Sequence, residues 1–173
     1  WKPAKEVGLL NDPKLGLDPG PLTESASLLR KEFSIKKKIA SARMYVSALG
    51  GYEAYLNGKR VGENVLTPEY TNYNTRITYQ TYDITALLKN GKNAVGALLG
   101  DSWYGSPMGW NGEYDLFDSF TNKFLAEIHV TYTDGTSEKI ITDNSWKMNR
   151  APVLMSEMYA GEFYDARLEQ KGW

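Results

Sequence analysis

Asn57-Gly58 falls between two runs of alternating apolar and polar residues, the arrangement that closes a two-residue hairpin. In the run before it, residues 52–56, Tyr52, Ala54 and Leu56 share one parity, and the chain returns through Lys59-Arg60-Val61-Gly62. The same alternation recurs at residues 43–48, with Met44, Val46 and Ala48 on one face and Arg43, Tyr45 and Ser47 on the other. It recurs at 76–82, where Ile77, Tyr79 and Thr81 oppose Arg76, Thr78, Gln80 and Tyr82. At 124–132, Phe124, Ala126, Ile128, Val130 and Tyr132 point inward, and Glu127, His129 and Thr131 point outward. Asp134-Gly135 turns that run into residues 137–142, and Asp143-Asn144 turns again before Trp146. No 3.6-residue period of useful length appears anywhere. Sheets with one apolar face must stack on another layer, so the chain is predicted to be all-β, closed or two-layered. Long loops collecting at one end favour a jelly-roll-type β-sandwich over an immunoglobulin-like one.

Residues 79–110 organise the rest. Asp83 is placed to accept backbone N–H groups at the start of one short helical turn over residues 84–88, and Asn90-Gly91 ends it. Residues 92–99 then run almost without polar interruption through Ala94, Val95, Ala97, Leu98 and Leu99, as a strand covered on both faces does. Gly100 releases the chain into an aromatic loop, Asp101-Ser102-Trp103-Tyr104-Gly105-Ser106-Pro107-Met108-Gly109-Trp110, which continues through residues 111–122. Upstream, Asp12-Pro13 and Asp18-Pro19-Gly20-Pro21 mark residues 1–25 as an irregular arm. Leu29, Phe33 and Ile35 share a parity broken by Lys31, which reads as an outer strand, and Lys36-Lys37-Lys38 as a solvated corner. Residues 66–74 form a loop with Pro and Tyr, and the tail from Ser156 has no clear period.

Several functional classes are excluded early. The formal net charge of −1 leaves no basic field for nucleic acid. The absence of cysteine removes disulfides and thiolate metal sites without assigning a compartment. No apolar run approaches the ~20 residues of a membrane span. The chain opens on Trp1 with no basic-then-apolar leader and so reads as an excised piece. His129 is the lone histidine, on the solvent side of a strand. There is no nucleophile elbow and no phosphate-cradling glycine loop before a helix. Asp101, Glu113, Asp115 and Asp118 crowd one loop region with Glu53 nearby, yet no spacing holds two carboxylates opposed across a sugar bond. No catalytic residue is expected in this chain.

Sugar binding needs other parts. Flat rings cover the apolar C–H face of a pyranose, and planar polar groups take its hydroxyls. Trp103, Tyr104 and Trp110, interleaved with Asp101 and Asn111, bring that mixture to one loop, and Tyr52 and Glu53 after Gly50-Gly51 bring it to the next strand end. The alternative is that Trp103 and Trp110 cap the open end of the sandwich. Asp101, Asp115, Asp118 and loop carbonyls leave Ca²⁺ open as a cofactor, although no regular ligand run is present.

The segments ARMYVSALGGYEAYLNGKRVG, LTPEYTNYNTRITYQTYDIT, LLKNGKNAVGALLGDSWYG, TDNSWK and the tail GEFYDAR ending in GW resemble, in order, the N-terminal β-sandwich domain of bacterial α-L-rhamnosidases of glycoside hydrolase family 78. The resemblance covers the chain from Phe33 to Trp173. It implies a non-catalytic accessory domain of an enzyme that removes terminal α-L-rhamnose with inversion. The catalytic acids of that family sit in a separate (α/α)6 barrel that would follow Trp173. The implied organisation is an arm at 1–25, a β-sandwich at 26–160 and a tail at 161–173 leading to the catalytic domain. The implied partners are a rhamnose-containing carbohydrate and that barrel, and the implied compartment is periplasmic or secreted rather than cytoplasmic. An autonomous rhamnose-binding module and a structural spacer remain alternatives. Some related domains bind rhamnose through calcium; residues 50–53 and 101–111 correspond in position, and Gly50-Gly51 bring no side-chain ligand there.

Overall fold

The computed structural model describes residues 26–106, 122–159 and 161–173. Among these residues eleven strands run β1 (Ser27–Ile35), β2 (Ile39–Leu49), β3 (Gly51–Leu56), β4 (Lys59–Arg60), β5 (Gln80–Asp83), β6 (Gly91–Gly100), β7 (Lys123–Tyr132), β8 (Ser137–Ile141), β9 (Lys147–Arg150), β10 (Val153–Glu157) and β11 (Gly161–Tyr164). They form a five-stranded sheet in the order β4-β3-β6-β1-β9, a four-stranded sheet in the order β5-β2-β7-β8, and the hairpin β10-β11. Every pairing is antiparallel. The domain is an all-β sandwich, as the alternation predicts.

Between the two sheets lies one core. Met44, Val46 and Ala48 of β2 with Ala126, Ile128 and Val130 of β7 meet Ala54 and Leu56 of β3 and Val95 and Leu99 of β6. These are the inward parities read from the sequence. The outward side of β6 is covered too: Leu98 packs with Ala26, Leu28, Ala151 and Val153 beneath the β10-β11 hairpin. Among the described residues no helix is long and apolar enough to cross a membrane.

The short helical turn forms as a 3-10 turn at Thr85–Leu87. The Asp83 carboxylate accepts the Thr85 N–H at 2.9 Å, and Gly91 takes the left-handed conformation (φ +88) that lets β6 begin at once.

The structure corrects four local expectations. β1 is not an outer strand, because β9 pairs along its far side. Its inward lysine is tolerated because Lys31 crosses the open edge of the sandwich to the Ile141 carbonyl (3.2 Å) and the Asp143 carboxylate (2.6 Å) of the opposite sheet. The strand expected at 76–82 spans only Gln80–Asp83, since the Ser47 hydroxyl donates to the Thr78 carbonyl in place of a ladder bond. The aromatic loop opens with one turn of helix, α1 (Ser102–Gly105), closed by Gly105 N–H donating to Asp101 O at 2.9 Å. Part of the tail forms strand: β11 pairs antiparallel with β10, whose register shifts between Val153 and Met155 just ahead of the tail.

Candidate functional site

The site begins at a corner. β2 ends in the four-stranded sheet and β3 starts in the five-stranded one, so the chain changes layer at Gly50. Gly50 has φ +118, and a Cβ there would stand 2.5 Å from the Gly100 carbonyl. Only glycine meets both demands. Gly100, paired with Gly51, is equally tight: its Cβ would fall 2.5 Å from the Ser156 hydroxyl. That hydroxyl accepts the Asp101 N–H at 2.8 Å, which ties β10 to the end of β6. Ser102 adds a contact of its hydroxyl to the Met158 sulfur (3.8 Å) and carries φ +50, a strained value for a residue with a side chain. On the other flank, Thr67 clips to β3: its carbonyl accepts Tyr52 N–H (2.9 Å) and its hydroxyl donates to the Tyr52 carbonyl (2.7 Å).

These segments enclose a cleft of about 320 Å³ on the outer side of the five-stranded sheet, between β3, α1 and the β10-β11 hairpin. Leu66, Leu98, Val153 and Met158 give it apolar wall, and Thr67, Ser102, Ser156, Glu53, Glu157 and Glu162 give it oxygen. The volume suits a ligand of roughly one sugar ring. Glu53 reaches it from the outward side of β3, half-exposed, with Arg60 at 3.2 Å and the Tyr55 hydroxyl donating at 2.6 Å. Burial and the neighbouring Glu53 carboxylate push the Tyr55 phenol up to about 12, so Tyr55 stays a donor.

The sequence-chosen residues do not all meet there. Tyr52 is buried on the opposite side of β3 from Glu53, with its ring against Phe124 (5.9 Å, edge-on) and its hydroxyl donating to Gln80 Oε1 (2.8 Å). Burial, with help from the Tyr82 hydroxyl, drives its phenol well above the usual range. Only its strand position borders the cleft. Asp101 is buried and accepts the Asn122 Nδ2–H at 2.9 Å, so it acts inward, anchoring the start of β7. Trp103 and Tyr104 turn from the cleft toward the 66–79 loop. Tyr104 is buried against Tyr73 (5.3 Å), half-buried Trp103 meets Tyr70 (6.4 Å), and Tyr70 meets Tyr73 (6.1 Å). Edge-to-face rings at these spacings hold α1 to that loop. Trp110 and Asn111, with Glu113, Asp115 and Asp118, lie outside the described residues.

The hairpin wall (Ser156, Glu157, Met158, Glu162) is absent from the sequence reading. The signal available was Val153 and Met155 alternating ahead of a Gly161 turn, and it is short and bulged.

For calcium, the test is the oxygen set beside Gly50. Asp101 Oδ1 accepts the Asn122 Nδ2–H, and Asn122 Oδ1, beside Gly50 and Gly105, has no hydrogen-bond partner among the described residues. Two oxygens fall short of the six to eight that Ca²⁺ takes. No group of three acidic, histidine or cysteine side chains among the described residues is arranged to hold a metal. The described residues therefore do not fit calcium.

Comparison with known proteins gives consistent results. The sequence profile of the "Alpha-L-rhamnosidase N-terminal domain" matches residues 37–173. An α-L-rhamnosidase of Streptomyces avermitilis is 41% identical over 154 residues, covering 88% of this chain and 15% of that protein. One from Formosa agariphila is 35% identical, covering all of this chain and 20% of that protein. The crystal structure of native α-L-rhamnosidase from Aspergillus terreus superposes with a TM-score of 0.84 at 43% identity, over 89% of this chain and 18% of that one. That of the Streptomyces avermitilis enzyme complexed with L-rhamnose gives a TM-score of 0.79 at 40% identity, over 88% and 15%. The chain thus spans a fifth or less of the curated relatives it matches.

Proposed function

The chain belongs to the α-L-rhamnosidase N-terminal domain family, and from that premise we propose that it is a non-catalytic accessory domain that holds a terminal α-L-rhamnose in the cleft beside Glu53. Bond cleavage falls to a separate catalytic barrel of the same enzyme. The observation that carries this reading is the cleft itself: carboxylates and hydroxyls spaced around apolar wall, at the size of one ring. A 6-deoxyhexose presents the matching pattern, with hydroxyls that donate to carboxylates and a methyl group that needs apolar contact. A relative 40% identical over this region was crystallised with L-rhamnose. The cleft carboxylates are poor candidates for glycoside cleavage, because a general acid of that kind is kept protonated by burial. Glu53 is half-exposed with Arg60 beside it, and Glu162 is exposed.

Calorimetric titration of the chain with L-rhamnose, with and without Ca²⁺, tests the reading. We expect saturable heat in both conditions, lost in Glu53→Ala, and no phenol released from an aryl rhamnoside. No heat at tens of millimolar sugar in either condition removes independent sugar binding. The spacer reading would then stand, and it has an observation of its own: the rings of Trp103 and Tyr104 are occupied by Tyr70 and Tyr73.

A further inference from the structure

Resting on the reading of the cleft as a sugar site, we propose that Leu66 sets its specificity, as an apolar lip that packs on a carbon-rich aglycone attached to the rhamnose. The cleft then favours rhamnosides of aryl or alkyl aglycones over rhamnose joined to a further sugar. Backbone strain marks the place. Among the described residues, Asn57, Leu66, Glu69 and Ser102 are the non-glycine residues with positive φ. Asn57 is accounted for by its hairpin turn. Leu66 (φ +56) and Ser102 (φ +50) both line the cleft. Their segments close on Gly51 from two sides: a Cβ there would stand 2.8 Å from the Ser102 Cβ and 3.8 Å from the Thr67 carbonyl. A left-handed leucine is costly, because its Cβ crowds the backbone. The flanking chain holds it there. The Leu66 carbonyl accepts the Glu69 N–H at 3.0 Å, Thr67 is clipped to Tyr52, and the Pro68 carbonyl accepts the Thr78 hydroxyl (2.9 Å) and the Gln80 Nε2–H (3.1 Å).

The side chain returns little to the fold for that strain. Leu66 is 57% exposed and stands outside both apolar cores, and Val65 before it is 71% exposed. Glycine at 66 would take the same backbone without strain, so the isobutyl group answers to something outside the sandwich. Leu66 lines the cleft yet is mostly in water, which puts it at the rim. The cleft, at about 320 Å³, has room for roughly one ring, so the group on the anomeric oxygen leaves by that rim. A sugar there would give up hydration of its hydroxyls and find no partner on Leu66. An aryl or alkyl group would instead remove apolar surface from water on both sides of the contact.

The test titrates methyl α-L-rhamnoside, p-nitrophenyl α-L-rhamnoside and α-L-rhamnosyl-(1→4)-D-glucose calorimetrically into the chain. The same titrations are made with Leu66→Gly and Leu66→Asn, both residues that accept a positive φ. We expect the aryl rhamnoside to bind on the order of tenfold more tightly than the methyl rhamnoside, and the disaccharide within about threefold of the methyl rhamnoside. In both variants the aryl advantage should fall below about threefold, with the urea midpoint kept or raised. With the methyl rhamnoside still bound, the proposal is overturned and the sugar site left intact by an aryl advantage that is absent, that the disaccharide shares, that survives both substitutions, or that free L-rhamnose does not compete away. A midpoint lowered in both variants overturns it too, by assigning the Leu66 side chain to the fold. Binding of none of the three ligands removes the sugar site itself, and the lip with it.

Discussion

The two outer faces of the sandwich come from the same alternating pattern and end up differently dressed. On the five-stranded sheet the outward side of β6 is Ala94, Gly96, Leu98 and Gly100. Small residues there let other segments come down onto the sheet: the β10-β11 hairpin over Leu98, and the Trp173 ring over Gly96, where a Cβ would lie 3.3 Å from the indole. On the four-stranded sheet the outward side of β2 and β7 carries the bulky Tyr45, Leu49, Leu125, Glu127 and His129, with Ser47 as the small exception between Tyr45 and Leu49. Nothing among the described residues covers it. Tyr79 is 65% exposed and Leu125 63%, along a groove of about 570 Å³. The size of outward residues on the central strands thus separates a face that can be built upon from one left bare, and the cleft is on the built face.

That contrast can be broken most forcefully at its corner. Gly50→Val adds a Cβ against the Gly100 carbonyl in a left-handed conformation, and should cost about 3 kcal/mol or more in urea unfolding. Gly100→Ala should cost less, about 1–2 kcal/mol, because Ser156 can yield. It should also loosen the hairpin, seen as faster amide exchange in β10 and β11. A fully stable Gly100→Ala chain would mean that the hairpin does not depend on the close approach.

A milder test concerns the clamp across the open edge. The Lys31 ammonium, with Ser145, holds the Asp143 carboxyl down at about 2, below its ordinary 3.8. A depressed carboxyl stabilises the fold above pH 3.8, and that contribution is lost as pH falls toward 2. Lys31→Met should therefore flatten the acid limb of the stability curve between about pH 4 and 2 and leave its shape near neutrality unchanged. An unaltered acid limb would show that the clamp carries no linkage.

The smallest effect belongs to the bare face. Tyr79→Ser should change stability by within about 0.5 kcal/mol and leave sugar affinity untouched, since its ring is mostly in water and its ring contact among the described residues is with Tyr45 (6.3 Å). A larger loss would mean that this face is not bare in solution.

Local pattern made the core legible: Met44, Val46, Ala48, Ala54, Leu56, Ala126, Ile128 and Val130 are inward because period-2 parity survives wherever a strand is long. The same parity set Tyr52 inward, and naming it beside Glu53 for one site ran against that alternation. The place of β1 was not legible, because its pairing with β9 joins residues more than a hundred positions apart and leaves no local mark. The cleft was half legible. Glu53 and Ser102 stand where turn glycines pointed, but the opposite wall comes from a bulged four- to five-residue hairpin whose outward glutamates read as tail. The rings of Trp103 and Tyr104 drew attention for their chemistry and are used for packing, a choice made by Tyr70 and Tyr73 from another loop.

Amide chemical-shift mapping of the chain during titration with L-rhamnose locates the sugar on one face or the other. Saturable shifts are expected at Gly51, Glu53, Ser102, Glu157 and Glu162, with Tyr79, Leu125 and Glu127 still. Shifts confined to the bare face, or none at saturating sugar, would contradict a sugar site in the cleft.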